Sequence, residues 1–233
     1  MTILSVIQAV ATKVGVEIPT SVFAQSGRTE IELKETANEC AQQIISGTDW
    51  SALLKVATVV GTGTVTEFPL STIAPDFLRL TKAAELWTEN QAYDRLVHVD
   101  NINDWLQQDS HSIGWVGGCW IMYGGSLFIK AGEQMPLPLN DEIRFPYITR
   151  NIVKPATGAN KDAFTADTDT FVINERLLKL SMIWNWKSAH NQPYQQEFDE
   201  YQIALGQLEM SDKAPGIIRS GRHGRGSLNV GFV

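Results

Sequence analysis

The sequence predicts an α+β fold in which an antiparallel helical bundle is interrupted by an inserted antiparallel β-rich subdomain. Three observations predict it. Apolar residues recur at helical spacing at the start of the 233-residue chain and again between residues 174 and 208. Between these two regions, β-branched and aromatic runs are separated by glycine-containing turns. The last residues are rich in glycine and arginine, and we expect them to form an extended C-terminal tail.

Two helices are predicted in the first fifty residues. The first spans about Thr2 to Val14, where isoleucine and valine form one apolar stripe. The second begins near Thr29, where Thr29 and Glu32 indicate a capping box, and it ends at Ser46-Gly47.

Several strands are predicted in the middle of the chain. The segments Lys55–Val60 and Thr64–Phe68 flank Gly61-Thr62-Gly63, which indicates a hairpin. Further strands are expected at Phe77–Ala83 and Arg95–Val99, followed by a short helix through Leu106 that Asp100 would cap.

A second hairpin has the clearest pattern in the chain. Trp120–Tyr123 and Ser126–Ile129 are joined by Gly124-Gly125, a two-residue link that suits a primed turn. Asp141–Ile148 is a further strand, and Pro146 within it predicts a position at the edge of a sheet.

The C-terminal part returns to helices. Asn174 is a plausible N-cap for a helix that is apolar over much of its surface, and Pro193 suits the first turn of the next helix. The residues expected to pack these helices, or to form an interface, are Trp184, Trp186, Tyr194, Phe198 and Tyr201. The predicted domains are therefore a bundle of residues 1–54 plus 171–211, a β-rich insertion of residues 55–170, and a tail of residues 212–233.

The charge distribution separates an acidic body from a basic tail. The net charge is −7, although residues 212–233 hold four basic residues and one acidic residue. An acidic protein repels nucleic acid at long range, which argues against a sequence-specific DNA reader. No apolar run reaches the length of a membrane span and no signal peptide is seen, so we expect no membrane association and a cytoplasm-like environment. Cys40 and Cys119 are too few for a disulfide framework.

The sequence contains no recognisable catalytic constellation, so we expect neither an enzyme nor a bound cofactor. The four histidines have no metal spacing, no glycine-rich loop precedes a helix, and no nucleophile elbow is present. Asp167 and Asp169, with Asp162 nearby, could bind a cation through carboxylate oxygens. The other ligands of a calcium loop are missing, and a solvated acidic loop is the simpler interpretation.

Two features allow a binding function. Seven tryptophans could stack on sugars, which leaves a receptor- or glycan-binding module as an alternative, although most of them lie beside apolar runs that are typical of a core. Arg219, Arg222 and Arg225 recur every third residue. They could contact nucleic acid, or they could dock on an acidic groove of a protein.

The order and spacing of several packing motifs point to a known family. They comprise an acidic loop, two aromatic helix segments and parts of the insertion, namely Phe164–Thr170, Asn174–Leu178, Ile183–Lys187, Tyr194–Tyr201, Pro75–Phe77, Leu86–Trp87 and Tyr123–Leu127. Over nearly its whole length the chain resembles the head-to-tail adaptors, or connectors, of short-tailed bacteriophages, the class that includes the podovirus tail tubular A proteins. Ile73-Ala74 before Pro75 departs from that pattern, which affects only loop detail.

The resemblance implies a role in assembly. Adaptors of this kind form a homo-oligomeric ring of roughly a dozen copies that matches the portal protein and continues the channel for genomic DNA. The ring carries a tail tube, nozzle or hub protein, and it lies in the neck of the virion after assembly in the host cytoplasm. In related adaptors a C-terminal extension reaches along the portal, and Pro215–Val233 is the matching segment here. A second-layer head-completion protein or a tail-tube closing protein is the nearest structural alternative.

Two hypotheses follow for this chain. Arg219, Arg222 and Arg225 would pair with portal carboxylates, while Val230 and Phe232 would fill an apolar groove. The acidic body would form a channel wall that does not retain passing DNA through counterion release.

Overall fold

The computed structural model describes residues 1–88, 96–111, 118–131 and 136–212. Within these ranges the protein is mixed α+β, with six α-helices and three sheets, none of which closes into a barrel. The helices are α1 (Ile3–Val14), α2 (Arg28–Gly47), α3 (Leu70–Ile73), α4 (Ile102–His111), α5 (Glu175–Ala189) and α6 (Gln195–Asp212). The strands are β1 (Leu54–Val60), β2 (Glu67–Pro69), β3 (Phe77–Leu80), β4 (Trp87–Thr88), β5 (Val97–His98), β6 (Cys119–Tyr123), β7 (Ser126–Lys130), β8 (Glu142–Thr149), β9 (Val153–Lys154) and β10 (Thr170–Phe171).

The first helix agrees with its prediction. Thr2 caps α1 by accepting a hydrogen bond from the Ser5 N–H, and Gly15 ends the helix in the left-handed region at φ 76°. A residue without a Cβ adopts this conformation at no steric cost, which is why glycine ends so many helices.

The capping box predicted for α2 is wrong. The helix starts one residue earlier than expected, so its N-cap is Gly27, which has no side chain to donate or accept. Glu32 instead accepts a hydrogen bond from Arg28 Nε at 2.7 Å. The Glu30 carboxylate lies over Gly27, so a side chain at this position would displace it.

The first sheet is built around β8. Strand β1 pairs with β8 along its whole length, and β3 and β4 pair with the opposite side of β8. Strand β8 is therefore central, and the predicted edge position of Pro146 is wrong. Proline is tolerated because β3 pairs with Tyr147–Thr149 and β4 with Ile143–Arg144, so neither strand reaches the register of Pro146 on that side.

The hairpin predicted around Gly61-Thr62-Gly63 is also wrong, because β1 pairs with β8 whereas β2 pairs with β7 in another sheet. The glycine segment packs against residues 137–141 instead of turning back. Gly61 N–H donates to the Asp141 carbonyl at 2.8 Å, and Gly63 N–H donates to the Leu137 carbonyl at 3.0 Å. A Cβ at Gly61 would lie 2.0 Å from the Pro138 carbonyl oxygen, so this close approach requires glycine.

The second sheet has the order β2-β7-β6-β5, and its β6–β7 hairpin confirms the prediction from the Gly-Gly link. Gly124 and Gly125 have φ of 58° and 80°, as a type I′ turn requires. The prediction that Asp100 caps α4 is wrong, because Asn101 Oδ1 accepts from the Asn103 N–H while Asp100 contacts His98.

Helices α1, α2, α5 and α6 share one core. Helix α5 contacts α1, α2 and α6, and the Asn174 side chain caps it as predicted, by accepting a hydrogen bond from the Leu177 N–H at 3.1 Å. Residues beyond the helices complete this core, namely Ile148, Ile152, Val153, Phe164 and Phe171. A second core lies between the two four-stranded sheets and includes Leu86, Trp120 and Phe145. No helix within the described ranges combines the length and the apolar character that crossing a bilayer requires.

Candidate functional site

The predicted aromatic residues of α5 and α6 meet in one seam. The Trp184 ring lies edge-on to Phe198 at 5.2 Å between ring centroids, and within 6.4 Å of both Tyr194 and Tyr201. Burial raises the pKa of Tyr201. Trp186 points to the other side of α5, where it is buried in the core and stacks on His190 at 4.4 Å. The structure thus uses these side chains to hold α6 against α5.

Polar contacts fix both ends of α6. Near its start, Lys187 pairs with Glu197. At its end, the Asp212 carboxylate accepts hydrogen bonds from the Ser51 N–H at 2.8 Å and the Ser51 hydroxyl at 2.6 Å, while Thr48 donates to Glu209. The last described residue of α6 is therefore held beside the start of β1.

The outer face of α6 exposes two apolar side chains among polar ones such as Asp199 and Glu200. Ile203 is 62% exposed and Met210 is 79% exposed, and the seven-residue spacing places them on one face of the helix. Gly206 lies between them, and a Cβ built there would meet no atom within 4 Å. Sequence reasoning identified the inner seam but missed this outer face, although the spacing of Ile203 and Met210 could have indicated it.

Strand β1 forms another apolar surface. Its residues alternate, so that Ala57 and Val59 are buried whereas Leu54, Val56 and Val60 are exposed, Val56 to 62%. Trp87 lies on the same face, because β4 and β1 pair with the same Arg144 position of β8, and it is 53% exposed. Arg144 of β8 lies between Trp87 and β1 on this face, so Trp87 and the exposed side chains of β1 form separate apolar areas, each a candidate contact surface.

In the acidic loop considered as a cation site, the carboxylates of Asp167 and Asp169 accept hydrogen bonds from the protein itself. The Asp167 carboxylate accepts from the Ser21 hydroxyl and from the N–H groups of Val22 and Phe23. Asp169 is 1% exposed; it accepts from two backbone N–H groups and pairs with Lys161 at 2.6 Å. Among the described residues, no group of three or more histidine, cysteine, aspartate or glutamate side chains is placed to hold a metal ion.

The carboxylate of Asp76 joins several strands. It accepts hydrogen bonds from Tyr147 at 2.7 Å and Thr149 at 2.6 Å, and it pairs with Lys55. Burial opposes ionisation of this carboxyl group, but these donors outweigh it and hold the pKa of Asp76 well below its usual range. Burial and the adjacent carboxylate raise the pKa of Tyr147.

Asp49 and Arg79 connect the helices to the first sheet. Arg79 pairs with Asp49 and donates to the Thr48 carbonyl at 3.0 Å, and Lys82 N–H donates to Asp49 at 2.8 Å. Burial again opposes ionisation, yet these contacts lower the pKa of Asp49. Sequence reasoning found neither this pair nor the Asp76 cluster, because the partners are distant in sequence.

His98 and the two cysteines lie among packed side chains. His98 stacks on Trp120 at 4.1 Å and lies 2.9 Å from Asp100, beside a cleft of about 240 Å³. Cys40 and Cys119 are buried and form no disulfide, and burial raises the pKa of Cys40 to about 11. A raised pKa disfavours the thiolate, so the surroundings of Cys40 do not activate it as a nucleophile.

The residues predicted to bind a portal lie outside the described ranges. They are Arg219, Arg222, Arg225, Val230 and Phe232. The described chain fixes only the point from which this segment starts, at Asp212.

Comparison with known proteins identifies no family. No protein-family model matches the chain, and no curated protein sequence matches it.

Proposed function

We propose that this protein is a head-to-tail adaptor of a short-tailed bacteriophage. It forms a ring beneath the portal, extends the DNA channel and provides the attachment platform for the tail, in the neck of the virion. The observation that carries this proposal is the pair of exposed apolar side chains, Ile203 and Met210, on the outer face of α6. Ile203 and Met210 point away from the core, while the opposite face of the same helix packs on Trp184.

A helix that packs on its own chain through one face and exposes apolar side chains on the other suits a subunit that packs side by side with its own copies. In a ring, each subunit uses two different surfaces, because head-to-tail contacts repeat until the circle closes. In this proposal α1, α2, α5 and α6 form an antiparallel bundle with α5 at its centre, and the outer face of α6 meets the next copy. The contacts of α5 with the three other helices support that arrangement.

The C-terminal segment provides the portal contact in this proposal. Arg219, Arg222 and Arg225 pair with carboxylates of the portal, and Val230 and Phe232 enter an apolar groove on it. The hydrogen bonds between Asp212 and Ser51 support this role, because they give the segment a fixed starting point on the body of the protein.

The acidic body suits the passage of DNA. With a net charge of −7 and the basic excess confined to the C-terminal segment, the ring wall repels phosphates and lets the genome slide through without sequence-specific contacts. The glycan-binding alternative has weaker support. Stacking on sugars needs exposed aromatic faces, and among the tryptophans that the structure describes only Trp87 is more than half exposed.

The test is native mass spectrometry and particle imaging of the chain, alone and mixed with the portal protein of the same phage. We expect rings of about a dozen copies on the portal. A variant ending at Asp212 should keep its fold, because the Asp212–Ser51 hydrogen bonds remain, but should lose portal attachment. A stable monomer or trimer that ignores the portal would overturn the adaptor proposal. Portal attachment by the truncated chain would overturn only the role of the C-terminal segment.

A further inference from the structure

The edge of the first sheet is open at β1. In the part of the chain that the structure describes, β1 pairs with β8 alone, so its outer edge carries unpaired N–H and C=O groups. The strand also exposes Leu54, Val56 and Val60 on one face. An exposed apolar edge strand readily pairs with another strand, and natural proteins usually cover or interrupt such an edge.

The C-terminal segment starts beside this edge. Asp212 is hydrogen-bonded to Ser51, which precedes β1 by three positions. Residues 213–233 follow directly. A linker of residues 213–227 spans up to about 50 Å when extended. Strand β1 is only about 23 Å long, so the end of the chain can reach its whole edge in either direction.

The end of the chain has the pattern of a strand. Leu228, Val230 and Phe232 alternate with Asn229 and Gly231, which is the period of two that places apolar side chains on one face. The six residues from 228 to 233 nearly match the seven residues of β1 in length. The residues that precede them are rich in glycine and arginine, as suits a connecting segment.

We propose that, in the free protein, residues 228–233 add as a strand to the open edge of β1 in the same chain. Leu228, Val230 and Phe232 then lie beside Leu54, Val56 and Val60 on the same face of the sheet, where cross-strand pairs contact each other. Main-chain hydrogen bonds give the pairing its strength, and alternate side chains give it specificity. The short connection to Asp212 favours the same chain over a second copy, because it keeps the local concentration of the segment high. This inference is independent of the adaptor role; on a portal, docking of the segment would expose β1 again.

Hydrogen–deuterium exchange on the free protein tests the proposal. The complete chain is compared with the chain ending at Asp212, and the readout is the β1 amides that face away from β8. We expect these amides to exchange at least about tenfold more slowly in the complete chain. A synthetic peptide of residues 226–233 added to the truncated chain should restore protection. In the complete chain Phe232→Asp should remove protection, whereas Asn229→Asp, which adds the same charge on the opposite face, should retain it.

Two results would overturn the proposal. Equal exchange in the complete and truncated chains would show that the C-terminal end does not cover β1. Protection that increases with protein concentration would assign the edge to a second copy. Because no portal is present in this experiment, its outcome is separate from that of the portal-binding test.

Discussion

At the scale of single residues, the carboxylate of Asp76 ties three parts of the β region together. It follows Pro75 in a loop, yet it contacts Lys55 of β1 and both Tyr147 and Thr149 of β8. A charged acceptor with several donors stabilises the folded state more than a neutral pair does. The same donors hold its pKa low, so the stability of the protein should depend on the ionisation of this group.

We predict that Asp76→Asn lowers the free energy of unfolding by about 2–4 kcal/mol at pH 7, because the amide loses the ion pair and cannot accept from all of these donors. The folded-state pKa is below the unfolded value of about 3.9, so the stabilisation is present above that pH and is lost below it. The difference in the free energy of unfolding between the wild-type protein and Asp76→Asn should therefore become smaller as the pH falls below about 4.

Urea unfolding of both proteins across this pH range measures the effect. Tyr147→Phe is a milder control, since it removes one hydrogen bond of 2.7 Å and leaves the Lys55 pair in place. A stability difference that stays constant down to pH 2 would show that ionised Asp76 contributes no pH-dependent stability.

A second residue-scale prediction concerns thiol reactivity. Burial raises the pKa of Cys40 to about 11, against a weaker opposing hydrogen bond from Asn185, and Cys119 is buried as well. Since the thiolate is the reactive form, both cysteines should be modified far more slowly by iodoacetamide at pH 8 than in the urea-unfolded chain. Peptide mass spectrometry gives the rate at each site. Rapid modification of Cys40 in the folded protein would contradict its burial against α5.

At the scale of elements, the acidic loop that precedes β10 supports the first helix. The Asp169 and Asp167 carbonyls accept from the Ile3 and Leu4 N–H groups, which the first turn of α1 leaves without helical partners. The Asp169 side chain fixes the loop by accepting from its own backbone and by pairing with Lys161. Burial opposes its ionisation, but these contacts lower its pKa.

We predict that Asp169→Asn destabilises the protein by about 3–5 kcal/mol at pH 7, because it leaves the largely buried Lys161 ammonium without its counter-ion. Thermal unfolding measures the loss. The control is Asp162→Asn, which changes a carboxylate of the same segment that has no ion pair among the described contacts, and it should have little effect. Calcium should not raise the melting temperature of the wild-type protein. A calcium-dependent increase that Asp167→Asn abolishes would assign these carboxylates to a cation.

The elements that sequence predicted well depend on neighbours in the chain. Helix α1, the Asn174 cap of α5 and the Gly124-Gly125 hairpin each follow from a local pattern, and the structure contains all three. The errors come from long-range pairing. Strand β1 pairs with β8, more than eighty residues away, and no local pattern distinguishes this partner from a hairpin with β2. The edge position predicted for Pro146 is wrong for the same reason. A proline lacks the N–H that would bond to a neighbouring strand, but it does not indicate on which side, or over what length, that neighbour is absent.

The candidate surfaces were predictable only in part. The period of Tyr194, Phe198 and Tyr201 indicated a packed seam, and these side chains do surround Trp184. The outer face of α6 and the exposed face of β1 were not found, because both contain residues that sequence reasoning assigns to a core. Exposure of Val56 becomes visible only when the rest of the chain is seen to leave it uncovered.

At the scale of the whole molecule, three hydrophobic clusters leave exposed apolar side chains on α6 and on β1 without a partner in the described chain. Helix α5 is surrounded by α1, α2 and α6, and α6 exposes Ile203 and Met210 on the side that faces away from α5. The open side of β1 lies near the end of α6, where Asp212 contacts Ser51. An assembly protein needs surfaces of this kind, whereas a monomer would gain from replacing them with polar residues.

A substitution at Gly206 should affect the stability of the monomer and the assembly of the ring in opposite directions. Glycine inside a helix costs about 1 kcal/mol relative to alanine, and a Cβ at this position would meet nothing within 4 Å. Gly206→Ala should therefore raise the stability of the monomer by about that amount. If the outer face of α6 meets a neighbouring copy, the added methyl group obstructs close approach, and the same substitution should weaken ring formation on the portal.

Melting temperature and native mass spectrometry together measure these opposite effects. Met210→Asp should likewise reduce assembly without loss of stability, because the side chain is 79% exposed in the monomer, whereas Gln202→Asp on the same helix serves as the matched control. Stabilised Gly206→Ala protein that assembles as well as the wild type would remove α6 from the subunit interface. Loss of both stability and assembly would instead mean that Gly206 is required within the monomer, contrary to the open space beside it.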